Sequence, residues 1–304
     1  MNVSFTTSQI TRVGISLIGI AAILAVCIGG YLLLHPRQTT ISNDPRQNRP
    51  SYYEKSAFNK PPDIQQKEAA HKEQAAQRIR LPIIMYHYVE YVQDPGDFIR
   101  KRLDVTPDTF EKELKDLQEA QYETYFVKDI PPLIGGESQL SPKGIVLTFD
   151  DGYEDFYAVA FPLLKKYNVK ATIYIVNHFI GRKGYMTQKE IEEIIASRLV
   201  EVGAHTLDHI GLKGVSKATL EKQIVESKKE LEDRFDINIS TFAYPYGSFD
   251  TAAVSAVQEA SFSAAVSVIP GVYHSEESLF YLSRIRPGAF NGTTMIHVLE
   301  SLNK

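Results

Sequence analysis

The sequence predicts an α/β fold with a parallel sheet or barrel, and three observations support this prediction. From Leu81 onward, short apolar runs alternate with helical stretches, and repeated strand–helix units of this kind place parallel strands side by side. Several runs end in acidic, histidine or tyrosine residues, which suits a fold whose chemistry lies at the carboxyl ends of its strands. The chain has 304 residues, 43% hydrophobic and 23% charged, which is enough for one large domain.

Six apolar runs predict the strands, and five stretches predict the helices. The strands are LPIIMYHYV, GIVLTFDD, KATIYIVN, LVEVGAHT, ISTFAYPYG and SAAVSVIPG. The helices are residues 109–120, 156–167, 187–197, 217–234 and 249–260. The fourth helix places Leu220, Ile224 and Leu231 on one face with charged residues elsewhere, which is typical of a surface helix.

Four segments are expected along the chain. They are an N-terminal tail at 1–12, a transmembrane anchor at 13–34, a polar linker or stalk at 35–80, and the globular domain at 81–304. The second segment, VGISLIGIAAILAVCIGGYLLL, carries no charge and is long enough to cross a hydrocarbon core of about 30 Å. The third is polar and rich in proline, so it cannot bury a core of its own.

Two alternatives to a permanent anchor remain open. A cleavable signal peptide is one, although its apolar region is usually only about 7–15 residues. Lipid attachment at Cys27 is the other, because Leu24 to Cys27 faintly resembles a lipoprotein cleavage box. The few basic residues beside the span weakly favour the opposite orientation. Large domains, however, translocate largely regardless of such charges. We therefore expect a single-pass protein of the cell membrane, with its globular domain extracytoplasmic.

Charge and cysteine content exclude several classes of function. The net charge of -4 gives no reason to expect nucleic acid as a partner. Cys27 is the only cysteine, so neither a disulfide framework nor a thiolate zinc site is available. Any metal must therefore be held by histidine and carboxylate side chains.

Two adjacent acids close one of the predicted strands. In GIVLTFDDGYEDF, Asp150 and Asp151 follow a run of apolar residues and precede Gly152. Neighbouring residues of a strand point to opposite faces, so the two carboxylates share a site only if the strand ends there, which Gly152 permits. A turn with a helix cap explains the same residues without any chemistry.

A pair of histidines supplies candidate metal ligands. His205 and His209 are spaced i, i+4 in GAHTLDHIGL, so one helical turn would put both imidazoles on the same face. Alone, they could equally be solvated or core histidines. Together with the strand-end acids they predict a site of two imidazoles and one carboxylate with an open position, which is typical of catalytic zinc. The second acid could then act as a base.

Three motifs in this order resemble a known family. TFDDGY, HTLDH and FAYPYG are similar to the first three motifs of the polysaccharide deacetylases, which are carbohydrate esterase family 4 or the NodB-homology domain. The resemblance implies that Asp150 is the general base and that Asp151, His205 and His209 bind the metal. It also implies that the backbone N–H of Tyr246 helps to hold the oxyanion.

The resemblance covers residues 81–299 or so and sets the remaining expectations. It implies a distorted (β/α) barrel and a divalent metal, most often Zn²⁺, with Co²⁺ or Ni²⁺ in some members. It also implies removal of N-acetyl or O-acetyl groups from a glycan.

The chain departs from the common pattern in the third motif. Many members have an arginine where this chain has Ala243, and that arginine orients the base. In YLSRIRPGAF, Arg284 and Arg286 alternate on a predicted strand and would point the same way. We expect Arg284 to replace the missing arginine, because a branch with a similar third motif has a leucine-x-arginine element there. A surface basic pair is the alternative.

The general acid is a second departure. Common members supply a histidine from a C-terminal Leu-x-His element, and His297 in TTMIHVLE could be its remnant in a terminal helix. LPIIMYHYVE instead resembles the Met-Tyr-His strand of the circularly permuted branch that includes the poly-N-acetylglucosamine deacetylases. We therefore assign the acid to His87.

The expected protein is a monomeric, membrane-anchored, metal-dependent deacetylase. Its expected substrate is an N-acetylated polysaccharide of the cell envelope, either poly-N-acetylglucosamine or peptidoglycan. A catalytically inactive glycan-binding domain of the same fold is the first alternative, which Ala243 keeps open. A metal-dependent amidase or phosphatase on a similar barrel is the second.

Overall fold

A computed structural model describes residues 78–94, 96–286 and 295–301 of the chain. The predicted anchor at 13–34 and nearly all of the predicted linker lie outside the described residues. Among the helices that are described, none is both long enough and apolar enough to cross a membrane.

The described residues form eleven strands and nine α-helices. The strands are β1 (Ile79–Arg80), β2 (Ile83–Tyr86), β3 (Tyr88–Val89), β4 (Asp104–Val105), β5 (Glu123–Tyr125), β6 (Gly144–Phe149), β7 (Ala171–Ile175), β8 (Val200–Ala204), β9 (Thr241–Ala243), β10 (Ala264–Val266) and β11 (Tyr273–His274). The helices are α1 (Phe98–Leu103), α2 (Pro107–Glu119), α3 (Ile130–Ile134), α4 (Phe161–Tyr167), α5 (Gln188–Ala196), α6 (Lys217–Leu220), α7 (Ser227–Phe235), α8 (Thr251–Glu259) and α9 (Met295–Ser301).

Seven of the strands make one parallel sheet. Its order is β10-β9-β8-β7-β6-β2, and β5 also pairs with β6. All pairings within it are parallel. The predicted α/β class with a parallel sheet is thus confirmed, and the sheet is a curled half-barrel where the resemblance implied a distorted (β/α) barrel. The six predicted strand regions all enter this sheet, and β5 joins it as the seventh strand.

An irregular segment, rather than a strand, spans the gap between the two edge strands. Leu282 forms a parallel bridge to Val266 of β10, and Ile285 forms one to Ile84 of β2. The continuous strand predicted over YLSRIRPGAF is therefore wrong within residues 281–286, which make isolated bridges only. Between these two bridges the backbone N–H of Arg284 donates to the carbonyl of Ile269 at 2.8 Å, and the Arg284 side chain is buried.

The predicted helices are present, with recognisable start signals. Thr106 caps α2 by accepting the N–H of Thr109, and Pro107 stands at the first turn, where its missing N–H costs nothing. Helix α5 begins with a capping box between Thr187 and Glu190. Single π-helical segments, Phe156–Ala160 before α4 and Glu221–Glu226 between α6 and α7, interrupt two of the helical regions that were predicted as continuous.

Alternation along the strands divides the core into two layers. Ile83, Val146, Tyr174, Ala243 and Val266 come from five strands and share one buried cluster on the inner face. Their sequence neighbours on the same strands belong to the other cluster, which includes the buried faces of the helices. Inner-face residues at the carboxyl ends of the strands therefore point into the mouth of the curled sheet.

Candidate active site

Strand β6 ends in a tight turn that separates the two acids. Asp150 still donates its backbone N–H to the carbonyl of Tyr86, at 3.0 Å. The next two residues, Asp151 and Gly152, both have left-handed backbones, with φ of 76° and 78°. The left-handed backbone at Gly152 favours glycine, whereas Asp151 adopts the same region as a non-glycine residue. The turn directs the two adjacent carboxylates to different partners.

Asp150 is paired with Arg284. The guanidinium donates from Nη1 to Oδ1 at 2.7 Å and from Nη2 to Oδ2 at 2.8 Å. Arg284 is 1% exposed and also donates to the Thr148 hydroxyl at 3.0 Å and the Ser267 carbonyl at 2.8 Å. Burial opposes ionisation of Asp150, but the charge and hydrogen bonds of Arg284 outweigh it, so the pKa of Asp150 is lowered. The carboxylate is therefore ionised at neutral pH.

Asp151, His205 and His209 converge on one point. Oδ1 of Asp151 lies 3.3 Å from Nε2 of His205 and 3.0 Å from Nε2 of His209. The three ligand atoms all lie within 4.8 Å of one another. This Oδ1 is buried and accepts no hydrogen bond within the described part of the chain, although both imidazoles approach it. Donor atoms that meet without bonding to one another suit a shared cation.

The tautomer of His205 fits the same interpretation. Its Nδ1 lies 2.7 Å from the carbonyl oxygen of Ala243, and a carbonyl can only accept. The ring proton is therefore on Nδ1, which leaves the lone pair of Nε2 for a metal. Outer hydrogen bonds of this kind orient metal-binding imidazoles in general.

The two histidines are brought together by a turn, so the helical turn considered for them is wrong. Residues 205–209 are not helical. Thr206 and His209 are left-handed, with φ of 67° and 57°, and His209 donates its N–H to the Thr206 hydroxyl at 2.9 Å. Asp151 and Tyr246 are left-handed too, at 76° and 59°. Strained residues of this kind concentrate at functional sites. No sequence signal marks them, because none of the four is glycine.

His87 reaches the same site from β2. Its Nε2 lies 3.9 Å from Oδ2 of Asp150, and its side chain is 13% exposed. Burial favours the neutral imidazole and outweighs the opposing charges of Asp150 and Asp151, while Arg286 and Arg284 add to the effect of burial. The pKa of His87 is consequently below its ordinary value.

The remaining candidates lie at the edge of the site or outside it. Tyr246 is 70% exposed, in the turn after β9, with its ring centroid 4.6 Å from that of His209. Arg286 lines a small cavity together with His87 and Asp104. His297 lies on α9 with an exposed side chain and does not belong to the metal-ligand cluster.

A row of aromatic side chains borders the mouth of the sheet. Tyr153 stacks on Tyr88 at a centroid distance of 4.0 Å and on Tyr185 at 5.0 Å. Phe179 continues the row, 4.8 Å from Tyr185 and 6.1 Å from His209. Tyr88 could have been found from the sequence, because it directly follows His87, whereas Tyr185 comes from a distant loop.

Two imidazoles and a carboxylate that converge beside a second, ion-paired carboxylate are the side chains of a mononuclear metal hydrolase. Comparison with known proteins gives the family within this class. Residues 137–265 match the family model for polysaccharide deacetylase. The protein YxkH of Bacillus subtilis (strain 168), named for the same family, is 30% identical over 225 residues, which cover 73% of this chain and 77% of the relative. The chain belongs to the polysaccharide deacetylases.

Other relatives include enzymes of known substrate and solved structures. The poly-beta-1,6-N-acetyl-D-glucosamine N-deacetylase of Staphylococcus aureus (strain MRSA252) is 24% identical over 221 residues, 68% of this chain and 75% of that protein. The Streptococcus pyogenes deacetylase PplD, solved with acetate, is 25% identical with a TM-score of 0.67, covering 74% of this chain and 98% of PplD. IcaB from Ammonifex degensii shares the fold, with 22% identity and a TM-score of 0.63 over 71% of this chain and 95% of its own.

Proposed function

We propose that this polysaccharide deacetylase hydrolyses the N-acetyl groups of a cell-envelope glycan made of N-acetylglucosamine. The observation that carries the proposal is the Asp150–Arg284 ion pair beside the converging Asp151, His205 and His209. Poly-N-acetylglucosamine is the favoured substrate, because the Staphylococcus aureus relative is named for that activity. Peptidoglycan is the runner-up.

The metal would be held by Asp151, His205 and His209. Two imidazoles and a carboxylate suit Zn²⁺, Co²⁺ and Ni²⁺ alike, and Zn²⁺ is the ion that we favour. When bound, the ion supplies Lewis-acid polarisation of a carbonyl and lowers the pKa of water. The described residues contribute no thiolate to the cluster, which suits a catalytic rather than a structural site.

Proton transfer is assigned to Asp150 and His87. The Asp150 carboxylate takes a proton from the attacking water as the water oxygen bonds to the amide carbon. His87 in its imidazolium form then gives a proton to the sugar nitrogen as the carbon–nitrogen bond breaks, which releases acetate and leaves an amine. Arg284 keeps Asp150 ionised and oriented. The backbone N–H of Tyr246 would donate to the oxyanion that develops on the acetyl oxygen.

The electrostatics give the two proton carriers different pH limits. A lowered pKa keeps Asp150 available as a base through the neutral range, but it also weakens its affinity for a proton. The pKa of His87 is lowered as well, so its acidic form is a minority species at neutral pH. Activity should therefore decline as pH rises through the pKa of His87.

The test of this function is acetate release from a panel of glycans. Full-length protein loaded with Zn²⁺ is incubated with oligomers of poly-N-acetylglucosamine, peptidoglycan, chitin oligomers and acetyl-xylan, each with and without a chelator. Chelator-sensitive acetate release, fastest on poly-N-acetylglucosamine, is expected. Metal-loaded protein without turnover on any of them would instead favour the inactive glycan-binding alternative, and hydrolysis of a phosphoester would favour the phosphatase.

We also propose that residues 13–34 anchor the protein in the cell membrane and that the linker at 35–80 holds the catalytic domain outside. The uncharged 13–34 segment supports this assignment. Fractionation of cells expressing the full chain or a form lacking residues 1–34 tests it. Loss of membrane association in the shortened form is expected, and equal membrane association of both forms would contradict the proposal.

A further inference from the structure

The last part of the first motif contacts the segment that carries His87. In the stretch TFDDGYED, the side chain of Asp155 accepts a hydrogen bond from the backbone N–H of Val89, two residues after His87. Tyr153 stacks on Tyr88, with the ring centroids 4.0 Å apart. Neither side chain has a role in the chemistry assigned above.

The segment around His87 needs such contacts, because it leaves the main sheet at that point. Strand β2 ends at Tyr86, and β3 (Tyr88–Val89) pairs with β4 in a separate two-stranded sheet. On the N-terminal side of His87, the Tyr86 carbonyl accepts the N–H of Asp150. On its C-terminal side, Asp155 accepts the N–H of Val89. Both contacts come from the same short motif.

We propose that Asp155 is a positioning residue that fixes the backbone of His87, so that the imidazole stays beside Asp150. The inference rests on the proposed role of His87 as the general acid. With this role, the first motif supplies the base and one metal ligand and also positions the acid. Tyr153 supports the same segment through its ring stacking.

Asp155 remains able to accept this hydrogen bond in its charged form, although burial opposes ionisation. Burial and, to a smaller extent, the charge of Glu90 together raise the pKa of Asp155 to about 6, against the opposing effects of the Val89 N–H and the charge of Arg100. The carboxylate is therefore ionised at neutral pH and accepts strongly. Arg100 in turn pairs with Glu90 at 2.7 Å and lies 4.4 Å from the ring centroid of Tyr88, so it also contacts the β3 segment.

The experiment compares full-length, Zn²⁺-loaded variants on oligomers of poly-N-acetylglucosamine. Asp155→Ala should lower kcat about 10- to 100-fold, because small misplacements of a catalytic group cost this much, and should leave KM and zinc affinity near the wild-type values. Glu154→Ala removes the exposed acid next to it and is the matched control, with no expected change. Asp155→Asn keeps an acceptor oxygen and should restore most of kcat.

A double variant distinguishes a role through His87 from a general structural one. His87→Ala/Asp155→Ala should be no slower than His87→Ala, because the positioned group is already absent. Losses that multiply in the double variant, or a wild-type kcat in folded Asp155→Ala beside a slow His87→Ala, would overturn the positioning role alone. A wild-type rate in His87→Ala would overturn the proposed acid, and this inference with it.

Folding of the variants is checked by cooperative thermal unfolding. If Asp155→Ala does not fold, Asp155→Glu decides, since it keeps the carboxylate but displaces it by one methylene. A lower kcat with unchanged KM in Asp155→Glu supports the positioning role, and wild-type kcat overturns it.

Discussion

Buried carboxylates lie at both ends of the parallel sheet, and their surroundings differ. At the carboxyl end, Asp150 faces the guanidinium of Arg284. Near the amino end, Glu201 on β8 accepts hydrogen bonds from the hydroxyls of Thr172 at 2.7 Å and Thr241 at 3.0 Å. It also accepts the backbone N–H of Lys128 at 3.3 Å.

The difference lies in the charge of the partners. Burial raises the pKa of Glu201, because its three hydrogen bonds from neutral groups and the weaker effect of the Lys128 charge do not offset it. The full charge of Arg284 does offset burial at Asp150, so that pKa is lowered. The neutral hydrogen-bond partners of Glu201 link neighbouring strands. The cation beside Asp150, next to the metal-ligand cluster, keeps that carboxylate ionised and able to act as a base. Burial of an acid alone therefore does not identify an active site.

The largest predicted effect is loss of the metal ligand at the carboxyl end. Asp151→Ala should abolish both zinc binding and acetate release, because two imidazoles alone hold the ion weakly. Glu201→Gln is the matched change at the other end and should leave kcat and zinc content close to wild type. Metal analysis and acetate release on the same preparations check this, and a similar loss in Glu201→Gln would remove the distinction between the two ends.

Removal of the cation should be the next largest effect. Arg284→Gln leaves Asp150 buried without its partner, which should cost about 3–5 kcal/mol in the free energy of unfolding. Deacetylation should fall as well, because the base loses its orientation. Arg234→Gln, which removes an exposed arginine on α7, is the control and should unfold much like the wild type in urea. Equal stability of Arg284→Gln and Arg234→Gln would contradict this account.

The sequence alone predicts the residues of the first prediction more completely than those of the second. The strand runs and the three motifs predicted the sheet and placed Asp150, Asp151, His205 and His209, because hydrophobic runs and local spacing are visible in one dimension. The route of Arg284 was not visible, since it depends on the irregular bridge between β2 and β10. The left-handed turn at His205 to His209 was also hidden, because tertiary contacts impose it on residues that do not favour it.

A smaller effect concerns stability against pH, where the two ends should respond with opposite signs. Because its pKa is raised, Glu201 in the folded protein keeps its proton at pH values above its ordinary pKa of 4.5. The stability that it contributes is therefore lost as pH rises through its pKa in the folded state. With its lowered pKa, Asp150 contributes stability above its ordinary value of 3.8 that is lost as pH falls through its folded pKa.

Urea unfolding of the wild type and Glu201→Gln across the acidic to neutral range measures the first of these contributions. The variant should gain stability relative to the wild type as pH rises. A difference that does not change with pH would show that Glu201 is not held with a raised pKa.

The smallest predicted effect is on the pH profile of turnover. The charge of Arg286 lowers the pKa of His87, so Arg286→Gln should raise it. Because His87 must be protonated to donate, the decline of kcat with rising pH should then begin at higher pH. Lys101→Gln, which removes an exposed charge on α1, should leave the profile unchanged. An unshifted profile in Arg286→Gln would argue against His87 as the acid.

The division of labour between the two adjacent acids is the central claim, and Asp150→Asn tests it most directly. Zinc content and acetate release are measured together on the metal-loaded, full-length variant. We predict zinc content equal to the wild type, since Asp151, His205 and His209 are intact, and a rate lower by about 10²–10⁴-fold, as expected for loss of a general base. A near-normal rate with bound zinc, or loss of zinc together with activity, would contradict the claim.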